Sequence, residues 1–560
     1  MVISDDIQRV ARDSFGIDEL RPAQVEAIAA AVDGRDVLAV FATGYGKSVM
    51  YQIAATLRAG VTVVVSPLIA LQEDQLVGIE SAPDAPDAVA LNSARGARAK
   101  QEAWRMLRTG AAEFVLLAPE QLAKEEVLAA LAVLEVSLLV VDEAHCIASW
   151  GHDFRPDYLM LGAFAERLGR PPIMALTATA STPVREEIIR RLGQRDPVVC
   201  IGDLDRPNIA LAVRRHTTDA DKRAAVIEEV AALPHPGLVY TATRRDTQRY
   251  ADALAERGLR AAAYHAGLPA KERARVHAAF LDDEVDVVVA TSAFGMGIDK
   301  QNVRYVVHAD VPDSVDAYYQ ELGRAGRDGD AAQATLHFRP EDLALRRYFA
   351  GRRPAGGELR RLVAALETRG LRRAELAERA GLSPRRVTAL LALLSDTGHV
   401  RLARTGARRL RGEDAEEAVA DALERADERE RIDHSRIEMM RAYAETRQCR
   451  RQVLLGYFGQ ESDALCGNCD TCLDGSAEQA REQAHDQAQE QDTGDATSPE
   501  GGDGYRVDDR VVHSEWGAGT VMAVGDDRMT VFFESEGYRV LSLQLVAENG
   551  LLDTATPAAP

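Results

Sequence analysis

Thr43-Gly44-Tyr45-Gly46-Lys47-Ser48 follows an apolar run at 37–42 and opens a stretch of helical period. The fold turns on this segment. A strand that passes through a glycine-paired turn into a helix lets backbone N–H groups and the positive helix terminus approach phosphate oxygens. Thr43, Gly44, Tyr45 and Gly46 would form the cradle. Lys47 is placed for the β- and γ-phosphates of ATP, and Ser48 for Mg²⁺. Phe41 stands where the general pattern has its first glycine. The bland alternative is a glycine turn that binds no nucleotide.

The downstream sequence argues against that alternative. Asp142-Glu143-Ala144-His145 closes another apolar run, 95 residues after Lys47. Asp142 is placed to hold Mg²⁺ and Glu143 to polarise an attacking water. Further apolar runs at 61–66, 114–118, 138–141, 173–177, 237–241, 261–264, 285–290 and 305–309 read as buried parallel strands. They alternate with helical-period segments, so the class is α/β, with enough strands for two doubly wound units. A joint is expected at Asp205-Arg206-Pro207-Asn208, where proline breaks the pattern. In the second unit, Gly323-Arg324-Ala325-Gly326-Arg327 spaces two arginines by three. Arg324 and Arg327 suit an arginine finger that reaches a γ-phosphate across a cleft.

Beyond these units the chain changes character. Residues 351–432 are mostly helical. A short helix at 373–380, a Gly381 turn, a Ser383-Pro384 cap and a helix bearing Val387, Leu390, Leu391 and Leu394 precede an expected hairpin near His399–Arg401 and Leu410. That outline is winged-helix-like, or else an unrelated helical pair. Residues 433–475 hold Cys449, Cys466, Cys469 and Cys472, whose spacing fits a tetrahedral Zn²⁺ site, with an iron–sulfur cluster as the alternative. Residues 476–504 are poor in apolar side chains and read as a flexible acidic, Gln-rich linker. Residues 505–553 alternate in period two, with Gly517, Gly519, Gly525 and Gly537 expected at turns, as in a small β-barrel.

Composition sets outer limits. The 560 residues suggest three to four domains. A hydrophobic fraction of 46% and a charged fraction of 28% exclude collagenous and wholly disordered classes. The most apolar stretch, 127–141, is broken by Glu135 and is too short to span a bilayer, so no membrane partner is expected. No secretory signal is expected from the acidic N-terminus. Six cysteines make no disulfide framework and suit a reducing cytoplasm. Net charge is −21, which taken alone argues against nucleic acid. Charge is segregated, however. Residues 339–412 carry 18 Arg against 7 acids, whereas 413–433 carry 10 acids against 3 Arg. A local basic block can bind phosphate whatever the total. Arg385 and Arg386, at the start of the second helix, are candidates for duplex phosphate contacts. A solvated helix face is the alternative.

Together these motifs resemble a superfamily 2 helicase core, and the intervening residues narrow the likeness to the RecQ family. They include Arg21-Pro22-Ala23-Gln24, Ser66-Pro67-Leu68 with Asp74-Gln75, Ala175-Leu176-Thr177-Ala178-Thr179 and Gly295-Met296-Gly297-Ile298-Asp299. Most specific is 146–156, with Trp150, His152, Phe154 and Arg155. It resembles the aromatic-rich loop that couples DNA contact to ATP hydrolysis, and its rings suit base stacking. The resemblance implies RecA-like lobes at 1–205 and 206–350. It implies that Arg21 and Gln24 read adenine, with Ile17 where relatives often carry an aromatic. By the same likeness Thr177 and Thr179 link nucleotide to DNA and Asp299 approaches ribose. It also implies ATP-dependent 3′–5′ unwinding of tailed or forked duplexes by movement on single-stranded DNA, near the nucleoid, in DNA repair and recombination. One departure is that the winged-helix-like segment precedes the cysteines. The tail, 511–521, is similar to the Tudor-like barrel of UvrD-type helicases, which implies RNA polymerase docking through 505–553. A DNA-binding barrel and a stabilising appendage remain alternatives.

Overall fold

The structure, a computed structural model, describes residues 2–554 apart from 68, 81–86, 93–94, 149–154, 296–299, 351–352, 404–405, 411–413, 461, 463, 484–504 and 526–527. The expectations for Trp150, His152, Phe154 and Asp299 lie outside the described residues.

The first unit is a seven-stranded parallel sheet. Its strands are β1 Val37–Val40, β2 Val61–Val65, β3 Ala88–Leu91, β4 Phe114–Leu117, β5 Val136–Val141, β6 Ile173–Thr177 and β7 Val198–Ile201. Their order is β3-β4-β2-β5-β6-β1-β7. The runs are apolar throughout because helices cover both faces. Leu38 and Val40 enter one core, and Val37 and Ala39 the other. The second unit has β8 Ile209–Arg215, β9 Gly237–Tyr240, β10 Ala261–Tyr264, β11 Val287–Ala290, β12 Tyr305–His308 and β13 Ala332–Phe338, in the order β10-β11-β9-β12-β13-β8. Both sheets are the RecA-like lobes of the expected α/β class.

Four strands were not anticipated. β3, β7 and β8 are sheet edges; β3 and β8 alternate with alanine, a weak strand former, and β7 is a four-residue run whose Val199 and Ile201 are exposed. β13 is central but carries Gln333, Thr335 and His337 for a buried network with Glu229. Residues 261–264, expected to be buried, are half-buried because β10 is also an edge.

The next module packs the helices Gly356–Ala365, Arg373–Ala380 and Pro384–Asp396 against a small antiparallel sheet. Its strands are β14 Leu371–Arg372, β15 Val400–Ala403 and β16 Gly406–Arg409, in the order β14-β16-β15. Ser383 Oγ accepts from Arg386 N at 3.3 Å and caps the third helix. Val387, Leu390, Leu391 and Leu394 are buried together. Leu410 lies just past the hairpin strands.

A 31-residue helix, Ala415–Glu445, follows. At 1.5 Å per residue it is about 46 Å long. It runs through the boundary expected at 432/433, and the core it serves changes close to that point, between Ala426 and Ile432. Ala418, Val419 and Ala422 belong to the preceding core, while Met440 and Tyr443 belong to a core shared with the second lobe. Burial at both ends keeps the helix continuous. The linker expected from 476 is corrected: 476–483 are helical, held by buried Ala477.

The C-terminal strands are β17 Arg510–His513, β18 Gly517–Val524, β19 Arg528–Phe533, β20 Gly537–Ser542 and β21 Leu552–Thr554. They form an open antiparallel sheet, β20-β19-β18-β17-β21, rather than a closed barrel. Among the described residues β20 and β21 do not pair; β20 lies instead along the long helix. Tyr538 N donates to Ser435 Oγ at 3.0 Å. Gly537 has φ +75°, and a Cβ there would overlap Ser435 and sit 3.0 Å from Ile432 Cα. Gly519 lies within β18, not at a turn, because the Phe533 ring packs over it.

Candidate nucleotide site, zinc centre and the joint between them

β1 ends at Val40, and the chain turns through 43–46 into the helix Lys47–Thr56. Gly44 (φ +86°) and Gly46 (φ +69°) supply the left-handed turn that few other residues adopt. Phe41 is fully buried, and Gly202 makes room for its ring. Lys47 Nζ donates to Phe41 O at 3.1 Å and Ala42 O at 3.4 Å, so its ammonium is curled into the phosphate loop. Burial lowers its pKa, while Glu143 and Asp142 oppose that shift. Lys47 and both acids therefore share one site.

Asp142 follows β5 and is buried. Its carboxylate accepts from Gln75 Nε2 at 2.8 Å and from Glu143 N at 2.9 Å. Burial raises its pKa against those bonds and Lys47. Glu143 has φ +49°, a strained position for a side chain of this kind, as occurs where a site fixes a group. His145 Nδ1 lies 3.0 Å from Thr177 Oγ1 and 3.4 Å from Glu143 Oε2. Thr177 Oγ1 donates to Thr179 O at 3.0 Å. The acid segment and the Thr177–Thr179 segment are thus physically joined. Arg155 NH1 donates to Pro67 O at 3.2 Å, just past the C-terminal end of β2 in the same sheet.

Gln24 spans two sites. Its Oε1 accepts from Arg21 N at 3.0 Å and its Nε2 donates to Tyr45 O at 2.9 Å. The Arg21 guanidinium lies 3.6 Å from the centre of the Tyr45 ring, so a cation–π contact holds these residues beside the phosphate loop.

The second lobe faces this loop with its arginines. A Cβ on Gly44 would lie 3.4 Å from Arg327 Cγ, and one on Gly323 would lie 3.5 Å from Thr43. Arg324 is buried deeper, beneath Gly295. Lys47, Asp142, Glu143 and Arg327 converge, with Ser48 next to Lys47 at the start of the helix. Arg385 and Arg386 lie in the separate winged module. There Arg386 pairs with Glu358 at 2.6 Å, both side chains part-exposed, and Arg385 is exposed.

Sequence reading passed over Arg206, noted only as part of the joint. Its guanidinium donates to Thr43 O (3.3 Å), Gly323 O (3.0 Å), Ala325 O (2.7 Å) and Gly326 O (2.9 Å). One side chain thereby ties the phosphate loop to the arginine loop. All four acceptors are backbone carbonyls, which leave no trace in the residue pattern. Gln75, quoted only as part of a motif, holds Asp142.

The four cysteines lie together, with their Sγ atoms all within 4.8 Å of one another. Two edges are 3.9 Å (Cys466–Cys472) and 4.0 Å (Cys469–Cys449). Zn–S bonds of about 2.3 Å in a tetrahedron give S···S edges near 3.8 Å. The donor set therefore fits Zn²⁺. Cys449 and Cys469 cap the helices Arg450–Tyr457 and Asp470–Leu473. The Cys449 hydrogen bond draws the Cys469 thiol down to about 3.

This module grips the joint. Arg451 reaches Asp205 (2.5 Å), Ile209 O (2.7 Å) and Asn468 (3.0 Å), and Asn468 Nδ2 donates to Pro207 O at 2.9 Å. Gln460 accepts from Leu204 N and donates to Asp203. Asp470 accepts from Val213 N of β8 at 2.8 Å.

Residues 21–188 match the DEAD/DEAH box helicase family, 221–329 the helicase conserved C-terminal domain, and 408–473 the RecQ zinc-binding domain. The chain is 34% identical over 465 residues to the ATP-dependent DNA helicase RecQ of Haemophilus influenzae, covering 83% of this chain and 63% of that one. It is 37% identical over 340 residues to the probable ATP-dependent DNA helicase RecS of Bacillus subtilis, covering 60% and 68%. It spans about six-tenths of the two curated RecQ relatives from Haemophilus influenzae and Pasteurella multocida. Among solved structures, the DUF1998 helicase MrfA bound to DNA overlays with a TM-score of 0.51 at 17% identity, over 73% of this chain and 63% of that one, a likeness of fold.

Proposed function

The chain belongs to the RecQ family of superfamily 2 helicases, and from that membership we propose that it is an ATP-dependent 3′–5′ DNA helicase. The observation that carries this reading is the convergence of Lys47, Asp142, Glu143 and Arg327 at one interlobe cleft, joined through His145 to Thr177. Residues 1–205 bind ATP, with Arg21 and Gln24 at the adenine and Lys47 on the β/γ-phosphates. Ser48 and Asp142 would hold Mg²⁺, which would supply neutralisation of phosphate charge. Glu143 orients the attacking water. Residues 206–350 deliver Arg327 and Arg324 to the developing charge, with Asp299 near the ribose. Thr177, Thr179, Trp150, His152, Phe154 and Arg155 carry the state of the cleft to single-stranded DNA. Arg385 meets duplex phosphates.

The test is ATP hydrolysis with no nucleic acid, single-stranded DNA, duplex DNA and RNA, beside unwinding of 3′-tailed and 5′-tailed duplexes. Turnover that depends on single-stranded DNA, with 3′-tailed substrates unwound, is the expected result. Lys47→Ala abolishes turnover with the fold intact; unchanged turnover refutes the site.

The position of the winged module favours a second reading, a translocase that remodels protein–DNA complexes. It predicts DNA-dependent turnover without unwinding. Residues 505–553 would dock a protein such as RNA polymerase. The cell compartment we assign is the cytoplasm, at the nucleoid. Among the described residues no helix is long and apolar enough to cross a membrane.

A further inference from the structure

Gln75 lies on the helix Ile69–Glu80, beside β3 and β4. Two neighbours pin that helix. Gln72 Nε2 donates to Ser66 O at 3.0 Å, and Leu76 is buried in the core of the first lobe. Gln75 itself is only 7% exposed. A long polar side chain is buried there for a reason, because its amide has to find partners on both sides.

One partner fixes which way the amide faces. Asp142 Oδ2 can only accept, so the donor Nε2 faces it, at 2.8 Å. Asp142 Oδ1 accepts from Glu143 N at 2.9 Å. The carboxylate is thus held at both oxygens, and each oxygen keeps a lone pair for a further partner. With its nitrogen turned to the acid, the amide leaves Oε1 as an acceptor beside it. Oε1 is buried, and among the described residues no donor reaches it. Buried amide oxygens left in that state are rare in folded chains. A glutamate at 75 would set a second anion against Asp142. Among side chains of this length, only glutamine gives the acid a donor and keeps an acceptor next to it.

The donor that Oε1 calls for is small, has a proton to share and sits next to a carboxylate suited to a cation. Water held by a divalent cation has those properties. Mg²⁺ keeps several of its waters when one or two carboxylates bind it, and the ion's charge makes them strong donors. A fixed carboxylate with an unmet buried oxygen at its side fits a hydrated ion. We propose that Gln75 is a positioning residue for the Mg²⁺ of Mg·ATP, its Nε2 fixing the Asp142 carboxylate and its Oε1 accepting from a water in the ion's coordination shell. The inference rests on the ATP-dependent helicase reading and deepens it.

The test measures binding of AMP-PNP to the full chain by calorimetry, in EDTA and across a Mg²⁺ titration. Gln75→Met, which keeps the length and removes both polar atoms, is compared with wild type. In EDTA the two bind AMP-PNP within about twofold, because Gln75 acts through the ion. The Mg²⁺ concentration that gives half of the tightening rises about 10-fold or more in the variant, the scale on which partners behind a metal's ligands set its affinity. The Mg²⁺ dependence of ATP hydrolysis shifts with it, and the rate recovers at high Mg²⁺. Gln75→Asn, with its amide one methylene short, shifts the same way and serves if the methionine variant does not fold. A folded variant with the wild-type Mg²⁺ dependence overturns the proposal. So does one that loses affinity equally with and without the ion, which marks a merely structural role. Wild-type protein that binds AMP-PNP with no response to Mg²⁺ overturns this proposal alone. Wild-type protein that neither binds AMP-PNP nor hydrolyses ATP overturns the helicase reading as well.

Discussion

Arg206 shows how much a single guanidinium can settle. Its planar fork meets carbonyls from both lobes at once, a geometry that an ammonium cannot copy. Arg327 is held on a loop whose backbone Arg206 fixes. Arg206→Ala is therefore expected to lower kcat for DNA-stimulated ATP hydrolysis by about 10²-fold, the scale of a small misplacement of reacting groups. KM for ATP should stay within about twofold, since the phosphate loop and adenine contacts remain. Arg206→Lys should recover little. Steady-state kinetics beside a melting curve checks the split; a rise in KM at constant kcat would assign Arg206 to binding instead. At this scale the motif residues were legible because phosphate chemistry demands particular side chains. Arg206 was not, since its partners are main-chain atoms that any sequence supplies.

At the scale of elements, nine apolar runs marked strands that exist, and the cysteine spacing marked a cluster that forms. The misses have physical reasons: the edge strands β3 and β8 alternate with alanine, a weak strand former, and β13 replaces hydrophobicity with a hydrogen-bonded network around Glu229. The long helix is not legible as one element because its acidic first half and cysteine-flanked second half look like different modules. The zinc module shows what an element can do beyond its own fold. Its ligands cap the helices that present Arg451 and Asp470 to the joint and to β8. Cys469→Ser is expected to lower bound zinc to well under one per chain. It should also expose 203–209 to proteolysis, measured by metal analysis and limited digestion. Full metal content with an intact joint would separate the clamp from the cysteines. Loss of structural zinc forfeits most of the folding free energy of such modules.

Across the whole molecule, accessory parts tie the first lobe to the long helix. Asp396, with a side chain only 1% exposed, takes Arg191 from the first lobe and Arg425 and Arg429 from the helix. Burial pushes its pKa up, but Arg425, Arg429 and Arg191 prevail and hold it at about 2. A depressed carboxyl stabilises above its unfolded pKa of 3.8 and loses that contribution as pH falls toward 2. The difference is worth about 2 kcal/mol. Asp396→Ala is expected to cost about 3–5 kcal/mol at pH 7, because three cations lose their shared anion. The gap from wild type should narrow between pH 4 and pH 2, as read from urea midpoints. A gap independent of pH would remove the charge argument. The C-terminal sheet makes a second tie, with Tyr538 reaching Ser181 Oγ at 3.1 Å and Ser435 at 3.0 Å. The joint itself, gripped along 203–209 by Arg451, Asn468 and Gln460, has a mechanical consequence. Held on several sides, the joint keeps less freedom than a bare linker of its length would, so the separation of the two lobes at this point is set by contacts and not by the slack of a tether.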